Sequence, residues 1–126
     1  MSNRRNTVQK NVILNALKDA DHPTATELYG LVRLTHPKIS RATVFRVLAD
    51  FAKLGLVREL ELLNSDTRYD GNLQPHAHCH CVKCGKVSDV FDEKLNGVMS
   101  LSSVEDFRVF NTEIEFNGLC PNCALD

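Results

Sequence analysis

Two Cys-x-x-Cys pairs, Cys81/Cys84 and Cys120/Cys123, constrain this chain more than anything else in it. Each knuckle offers two sulfurs to one ion, and four thiolates fill the tetrahedral shell of zinc with no position left open. The pattern therefore predicts a structural metal site. Thirty-five residues separate Cys84 from Cys120, more than the roughly 15–20 of an ordinary zinc ribbon. The ion would close that stretch into a loop and tie the end of the chain to an earlier strand. A chain of 126 residues gains from such a staple, more so if its core is divided between two small units.

The compartment decides whether paired cysteines bind metal or form disulfides. Met-Ser-Asn-Arg-Arg-Asn-Thr has no apolar stretch after its basic residues, so no secretory signal is expected. No apolar run approaches the length needed to cross a bilayer. The expected location is the cytoplasm, where thiols stay reduced and ligate metals. Cys79, the odd cysteine, is expected to be a small buried hydrophobe.

Just ahead of the first knuckle the chain reads His76-Ala-His78-Cys-His80. In an extended segment alternate side chains share a face. His76, His78 and His80 then lie on one side, with Cys79 and Cys81 on the other. The imidazoles are thus kept from the thiolates, which argues for a second, nitrogen- and oxygen-ligated site. Asp70 and Asp89 are acids able to complete it, although each taken alone reads as a solvated loop acid. His22, before Pro23, reads alone as a surface turn residue.

The fold expected is α+β: an N-terminal winged helix-turn-helix followed by a small α/β domain with the four-cysteine zinc site. Thr7 precedes an amphipathic stretch with Val12, Ile13, Ala16, Leu17 and Ala20 inward. Thr24-Ala-Thr-Glu27 fits a capping box, with Leu28, Leu31 and Val32 on one face. Ser40 caps a third helix whose stripe is Val44, Val47, Leu48, Phe51 and Leu54, ended by Gly55. Leu56–Leu63 and Thr67–Asp70, flanking Asn64-Ser-Asp66, read as a β-hairpin. Three helices and a hairpin is the order of a winged helix, with the third helix placed to enter a major groove.

Charge agrees with that reading. Residues 1–63 hold ten Lys/Arg against six acids, and residues 64–126 hold five against ten. A basic half is suited to DNA and an acidic half to cations. Domain bounds of 1–70, a hinge at 71–75 and a metal-binding half at 76–126 follow from the turn-forming Gly71-Asn-Leu-Gln-Pro75. In the second half His76–Val82 and Lys86–Phe91 read as extended. Asp92 to about Val104 reads as a helix with Leu95, Val98, Met99 and Val104 inward. Thr112, Ile114 and Phe116 alternate with polar residues as a strand leading into Cys120.

His22-Pro-Thr-Ala, Ile39-Ser-x-Ala-Thr-Val-Phe-Arg-x-Leu48, Gly55-Leu-Val, Arg68-Tyr-Asp, His76-x-His, Cys81-x-x-Cys-Gly-Lys-Val and Cys120-Pro-Asn-Cys123 follow one another. Over nearly the whole chain this resembles the ferric uptake regulator superfamily. The resemblance implies a homodimeric, metal-responsive repressor that is not an enzyme and binds double-stranded operator DNA, of palindromic form. It implies His22, Asp70, His76, His78 and Asp89 as the regulatory ligands, a set suited to Fe(II) or Mn(II), with structural zinc on Cys81, Cys84, Cys120 and Cys123. Metal binding would fix the orientation of the two domains and space the recognition helices of the dimer. Aspartates at positions 70 and 89 are similar to the peroxide-sensing branch, in which iron reacts with hydrogen peroxide, a ligand histidine is oxidised and the repressor is released.

There are departures from the family pattern. Phe45-Arg46 stands where many relatives have Tyr-Arg, and the extra N-terminal helix of many relatives is not expected. Pro75, Ala77, Asn96 and Thr112 occupy the positions of a third metal site, so none is expected. His80 usually has an apolar counterpart. On the third helix Arg41, Thr43, Phe45 and Arg46 lie off the apolar stripe, and Arg46 is placed for a guanine edge or a phosphate. Arg5 and Lys10 are expected at the DNA backbone or minor groove.

Alternatives remain at this level. One is an iron- or manganese-responsive regulator without peroxide sensing. A distant one is a metallohydrolase built on His76, His78 and an aspartate, and another is a zinc-buffering protein.

Overall fold

Capping chemistry decides where the helices of the N-terminal half begin. In the computed structural model, which describes residues 3–125 and the side chains of residues 7–125, three helices come first. They are α1 (Asn3–Asp19), α2 (Ala25–Thr35) and α3 (Arg41–Lys53). The Thr24 hydroxyl accepts from the Glu27 N–H, and the Glu27 carboxylate accepts from the Thr24 N–H, which completes the expected capping box. Ser40 caps α3 by accepting from the Thr43 N–H. Gly55 follows α3 with φ of +75°, the left-handed conformation that glycine adopts without a Cβ penalty. Helix α1 starts earlier than Thr7, because Asn3–Asn6 contains no Pro or Gly to stop it.

Backbone contacts divide the chain into two compact units, Met1–Glu61 with Asp66–Leu73 and Leu62–Ser65 with Gln74–Asp126. The first unit packs Ile13, Leu17, Leu28, Val32, Val44, Val47, Leu48 and Phe51 into one cluster that takes in Ile39 and Val57. Truncating a fully buried leucine such as Leu28 or Leu48 to alanine costs about 2–5 kcal/mol in sites of this kind. Leu31 and Leu54, both expected on buried stripes, lie outside that core. Leu54, 70% exposed, is the C-cap of α3 and lies past its buried stripe, and Leu31 falls beside the line set by Leu28 and Val32. The hairpin is shorter than expected, with β1 (Arg58–Leu60) antiparallel to β2 (Arg68–Asp70).

The second unit is a three-stranded sheet in the order β4-β3-β7, from β3 (Ala77–Cys81), β4 (Val87–Val90) and β7 (Glu115–Gly118). Strand β3 runs antiparallel to β4, with His78 opposite Asp89, and parallel to β7, with His78 opposite Glu115. A parallel pair needs a crossover. Residues 91–114 supply it through α4 (Glu93–Met99) and a small hairpin of β5 (Ser103–Val104) and β6 (Phe107–Arg108).

The expected helix to Val104 stops early. Ser100 turns its hydroxyl back to donate to the Asn96 carbonyl at 2.8 Å, and serines compete with the backbone in this way at helix ends. Val104 then enters β5, and neither it nor Val98 is buried. Phe107, Phe110 and Phe116 are also exposed. Helix α5 (Pro121–Ala124) ends the described chain. Among the described residues, no helix is long and apolar enough to cross a membrane.

Candidate metal centres

The sulfur cluster is built by a knuckle after β3 and by the first turn of α5. Cys81 ends β3, where its N–H donates to the Lys86 carbonyl and its own carbonyl accepts from Gly85. The Cys84 N–H points at the Cys81 sulfur, 3.4 Å away. Gly85, with φ of +84°, makes the reversal that lets the chain return as β4. Cys120 is the N-cap of α5, which brings Cys123 round on the next turn.

All four sulfurs lie within 4.8 Å of one another. Cys84 Sγ and Cys120 Sγ are 3.8 Å apart. Two thiolates bound tetrahedrally to zinc at about 2.3 Å would be separated by about 3.8 Å. The spacing thus fits a zinc ion.

The thiols share protons unevenly. Backbone N–H groups of Cys120 and then Cys84 hold the Cys81 thiol down to about 5, while the Cys120 side chain, followed by burial, pushes Cys123 up to about 12. The Cys123 N–H likewise lowers Cys120. Four neighbouring thiolates repel one another, and a divalent cation removes that conflict. Cys79 is exposed, contrary to the expectation for it, because it sits on β3 between the buried His78 and His80.

A second group of donors lies in the same unit. His76 and His78 are buried, and their Nε2 atoms approach Asp89 Oδ1 at 3.1 and 3.3 Å. The antiparallel register of β3 and β4 sets Asp89 opposite His78, and the two-residue period brings His76 to the same side. His76 Nδ1 lies 2.6 Å from the Gln74 carbonyl oxygen. A carbonyl only accepts, so Nδ1 carries a proton and Nε2, which faces Asp89, is the nitrogen left to take up a cation.

A lone pair and a carboxylate brought together call for a proton or a cation between them. Two ligands at about 2.1 Å from one ion, at right angles, are about 3 Å apart. The Phe91 ring stacks on His76 with centroids 4.9 Å apart. A 240 Å³ cavity lined by His76, Phe91, Asn96 and Met99, among others, adjoins that imidazole.

The first unit contributes a further pair. His22, only 8% exposed, faces the buried Asp70 with Nε2 3.5 Å from Oδ2. Neither is the solvated residue that its sequence context suggests when taken alone. Long-range bonds explain the burial. The Arg68 guanidinium donates to the His22 carbonyl at 2.8 Å and to Glu27 Oε1 at 3.2 Å, and the Tyr69 N–H donates to the Pro23 carbonyl at 2.9 Å. These bonds bind the turn after α1 to β2 and bring His22 beside Asp70. Asp70 Oδ1 accepts from the Asn72 N–H at 2.8 Å, which orients the carboxylate. Asp21 Oδ1 lies 2.6 Å from His22 Nδ1.

Imidazole nitrogens with carboxylate oxygens are a donor set suited to divalent ions of the first transition row. His80 belongs to neither group: its Nδ1 lies 3.1 Å from Asn117 Oδ1 on β7. The anchors Asp21, Arg68 and the Gln74 carbonyl escaped sequence reasoning. Only the Arg68-Tyr-Asp string hinted at one of them.

On α3, Arg41, Phe45 and Arg46 are exposed and Thr43 is half-buried. The Arg41 guanidinium lies 4.5 Å from the Phe45 ring centre, an arrangement that pre-orders both side chains on the helix surface. Thr43 Oγ1 accepts from the Ser40 hydroxyl at 2.9 Å. Lys10 is exposed on α1, and the side chain of Arg5 lies outside the described residues.

Comparison with known proteins agrees with this geometry. The chain is 37% identical over 121 residues to the peroxide-responsive repressor PerR of Staphylococcus epidermidis, covering 94% of this chain and 81% of that one. Its fold superposes on the Campylobacter jejuni peroxide stress regulator with a TM-score of 0.85 and 32% identity, covering 96% and 93% of the two chains. A zinc uptake regulator solved with zinc and DNA matches at a TM-score of 0.67 and 26% identity, covering 93% and 81%. The ferric uptake regulator family model matches residues 1–117. By sequence and by fold alike, the chain belongs to the ferric uptake regulator family.

Proposed function

We propose that the chain is a cytoplasmic, metal-dependent transcriptional repressor of the peroxide-responsive kind. The observation that carries this reading is the convergence of His76 and His78 Nε2 on one Asp89 oxygen, in a chain 37% identical to a peroxide-responsive repressor. In this reading His22 and Asp70 join His76, His78 and Asp89 on a single ion, iron(II) or manganese(II). Zinc on the four cysteines is structural, since four thiolates leave it no open position.

Each residue then has a task. Asp89 and Asp70 balance the charge of the ion, and the three imidazoles fix its position. The Gln74 carbonyl holds His76 in the tautomer that presents Nε2. Iron(II), when bound, would supply the electrons that reduce hydrogen peroxide, with oxidation of a ligand histidine, whereas manganese(II) would not. So small an oxidant fits the cavity that His76 helps to line. His76, His78 and His22 are the candidates for that oxidation.

Ion binding favours the DNA-competent form by its greater affinity for that form. Arg41, Thr43, Phe45 and Arg46 on α3, with Arg5 and Lys10 on α1, are the proposed DNA contacts. Family membership supports a homodimer, for which a palindromic operator is the proposed partner, and the exposed Phe107, Phe110 and Phe116 supply apolar surface for self-association.

An electrophoretic mobility shift with operator DNA tests the reading. Binding stimulated by either metal, and lost to peroxide with iron but kept with manganese, is the expected result. Peroxide-resistant binding with iron would indicate an iron- or manganese-responsive regulator instead. Metal-independent binding would remove the reading altogether.

A further inference from the structure

A histidine serves a metal only through a nitrogen that carries no proton, and a free histidine side chain in water favours the Nε2–H form. The nitrogen of His22 that faces Asp70 is Nε2. A hydrogen-bond acceptor beside Nδ1 biases the ring toward the Nδ1–H form in advance of the ion. Asp21 Oδ1 stands 2.6 Å from Nδ1, and an ionised carboxylate only accepts.

We infer that Asp21 is a positioning residue for the metal site: its carboxylate accepts the Nδ1 proton of His22 and so fixes the ring with its Nε2 lone pair toward the ion. This deepens the proposed function, since it rests on His22 being a ligand.

The local chain supports the role. His22 adopts φ of +47°, a left-handed conformation that histidine visits more readily than most residues. Its carbonyl is held by Arg68, so the backbone is fixed independently of Asp21. A bond to Nδ1 acts on the rotation of the ring and on the choice of tautomer. Metal-binding histidines commonly donate their second N–H to a carboxylate or a carbonyl, and loss of such a partner costs about 10–100-fold in metal affinity. His76 uses the Gln74 carbonyl for this purpose. His22 uses a charged group, which also enriches the ring in electron density.

The side chain of Asp21 is 84% exposed, so removing it takes nothing from the core. The experiment compares wild type, Asp21→Ala and Asp21→Asn. Long-range ¹H–¹⁵N correlation spectra of the metal-free proteins at mildly alkaline pH read the tautomer of His22, and titration with Mn(II) reads affinity.

In wild type, Nδ1 of His22 carries the proton. Asp21→Ala is expected to shift the ring toward Nε2–H and to lower Mn(II) affinity about tenfold. Asp21→Asn, which keeps a neutral acceptor, is expected to hold the tautomer and to lose less affinity. An unchanged tautomer in Asp21→Ala, or a changed one with unaltered affinity, overturns the inference. His22→Ala separates the two layers: if it leaves Mn(II) affinity intact, His22 is no ligand and the underlying reading fails first.

Discussion

Cys84 Sγ and Cys120 Sγ stand 3.8 Å apart although thirty-five residues lie between them in the chain. The parallel ladder of β3 and β7, which pairs His78 with Glu115 and Cys81 with Gly118, spans a similar stretch of chain and has little buried apolar surface to hold it. Among the described residues, its buried apolar side chains are Leu62, Ala77, Cys81 and Val87. A structural zinc ion can be worth about 10–16 kcal/mol to a small fold.

Cys84→Ser, or zinc removal by a strong chelator, is expected to abolish cooperative unfolding of the second unit while α1–α3 stay folded. Amide exchange followed by NMR resolves the two units. Equal protection of β3 and β7 with and without zinc would contradict the assignment.

Asp89→Ala removes the oxygen on which two imidazoles converge. Mn(II) affinity is expected to fall at least tenfold, since even the loss of an outer partner costs about that much. The four-cysteine cluster should keep its metal, because Asp89 Oδ1 contacts imidazoles and the cluster is thiolate throughout. Competition with a fluorescent chelator and elemental analysis of the purified variant check the two halves of this statement.

Arg68→Ala should loosen the turn that carries His22. Two bonds are lost, one to a backbone carbonyl and one to Glu27, which is more than half exposed and so contributes less. A loss of about 1–2 kcal/mol in the first unit is expected by urea denaturation, together with weaker Mn(II) binding. Arg68→Lys should recover only part of it, since an ammonium lacks the planar fork of a guanidinium.

Arg46→Ala should weaken operator binding by about 1–3 kcal/mol and leave Mn(II) affinity unchanged. A titration across several salt concentrations tells a base contact from a phosphate contact. Only the latter lowers the salt slope by about one.

Much of the fold could be read from the residues because its signals are local. Thr24 and Glu27 lie three residues apart, Ser40 and Thr43 likewise, and the alternation of His76, His78 and His80 is a property of any extended strand. The spacing within each Cys-x-x-Cys pair carries its own chemistry. What stayed hidden depends on distant partners or on competition. The burial of His22 comes from Arg68, forty-six positions later, which no local pattern shows. The early end of α4 coincides with a serine hydroxyl folded back on the Asn96 carbonyl, and apolar periodicity past Met99 cannot register that. The exposure of Cys79, Leu31 and Leu54 depends on which face of each element is covered and where the element ends, which apolar residue type does not reveal.

Strand β3 is common to both sets of metal donors, with His78 and Cys81 three residues apart on it and His76 one step before it. Its order within the sheet relies on neighbours whose ends are gathered by the sulfur cluster. Dependence therefore runs one way. In the proposed reading, an agent that extracts the thiolate-held ion would also disperse the imidazoles and leave the protein blind, whereas oxidation of a single imidazole would leave the thiolate scaffold standing. The sensor is spent before the frame that carries it.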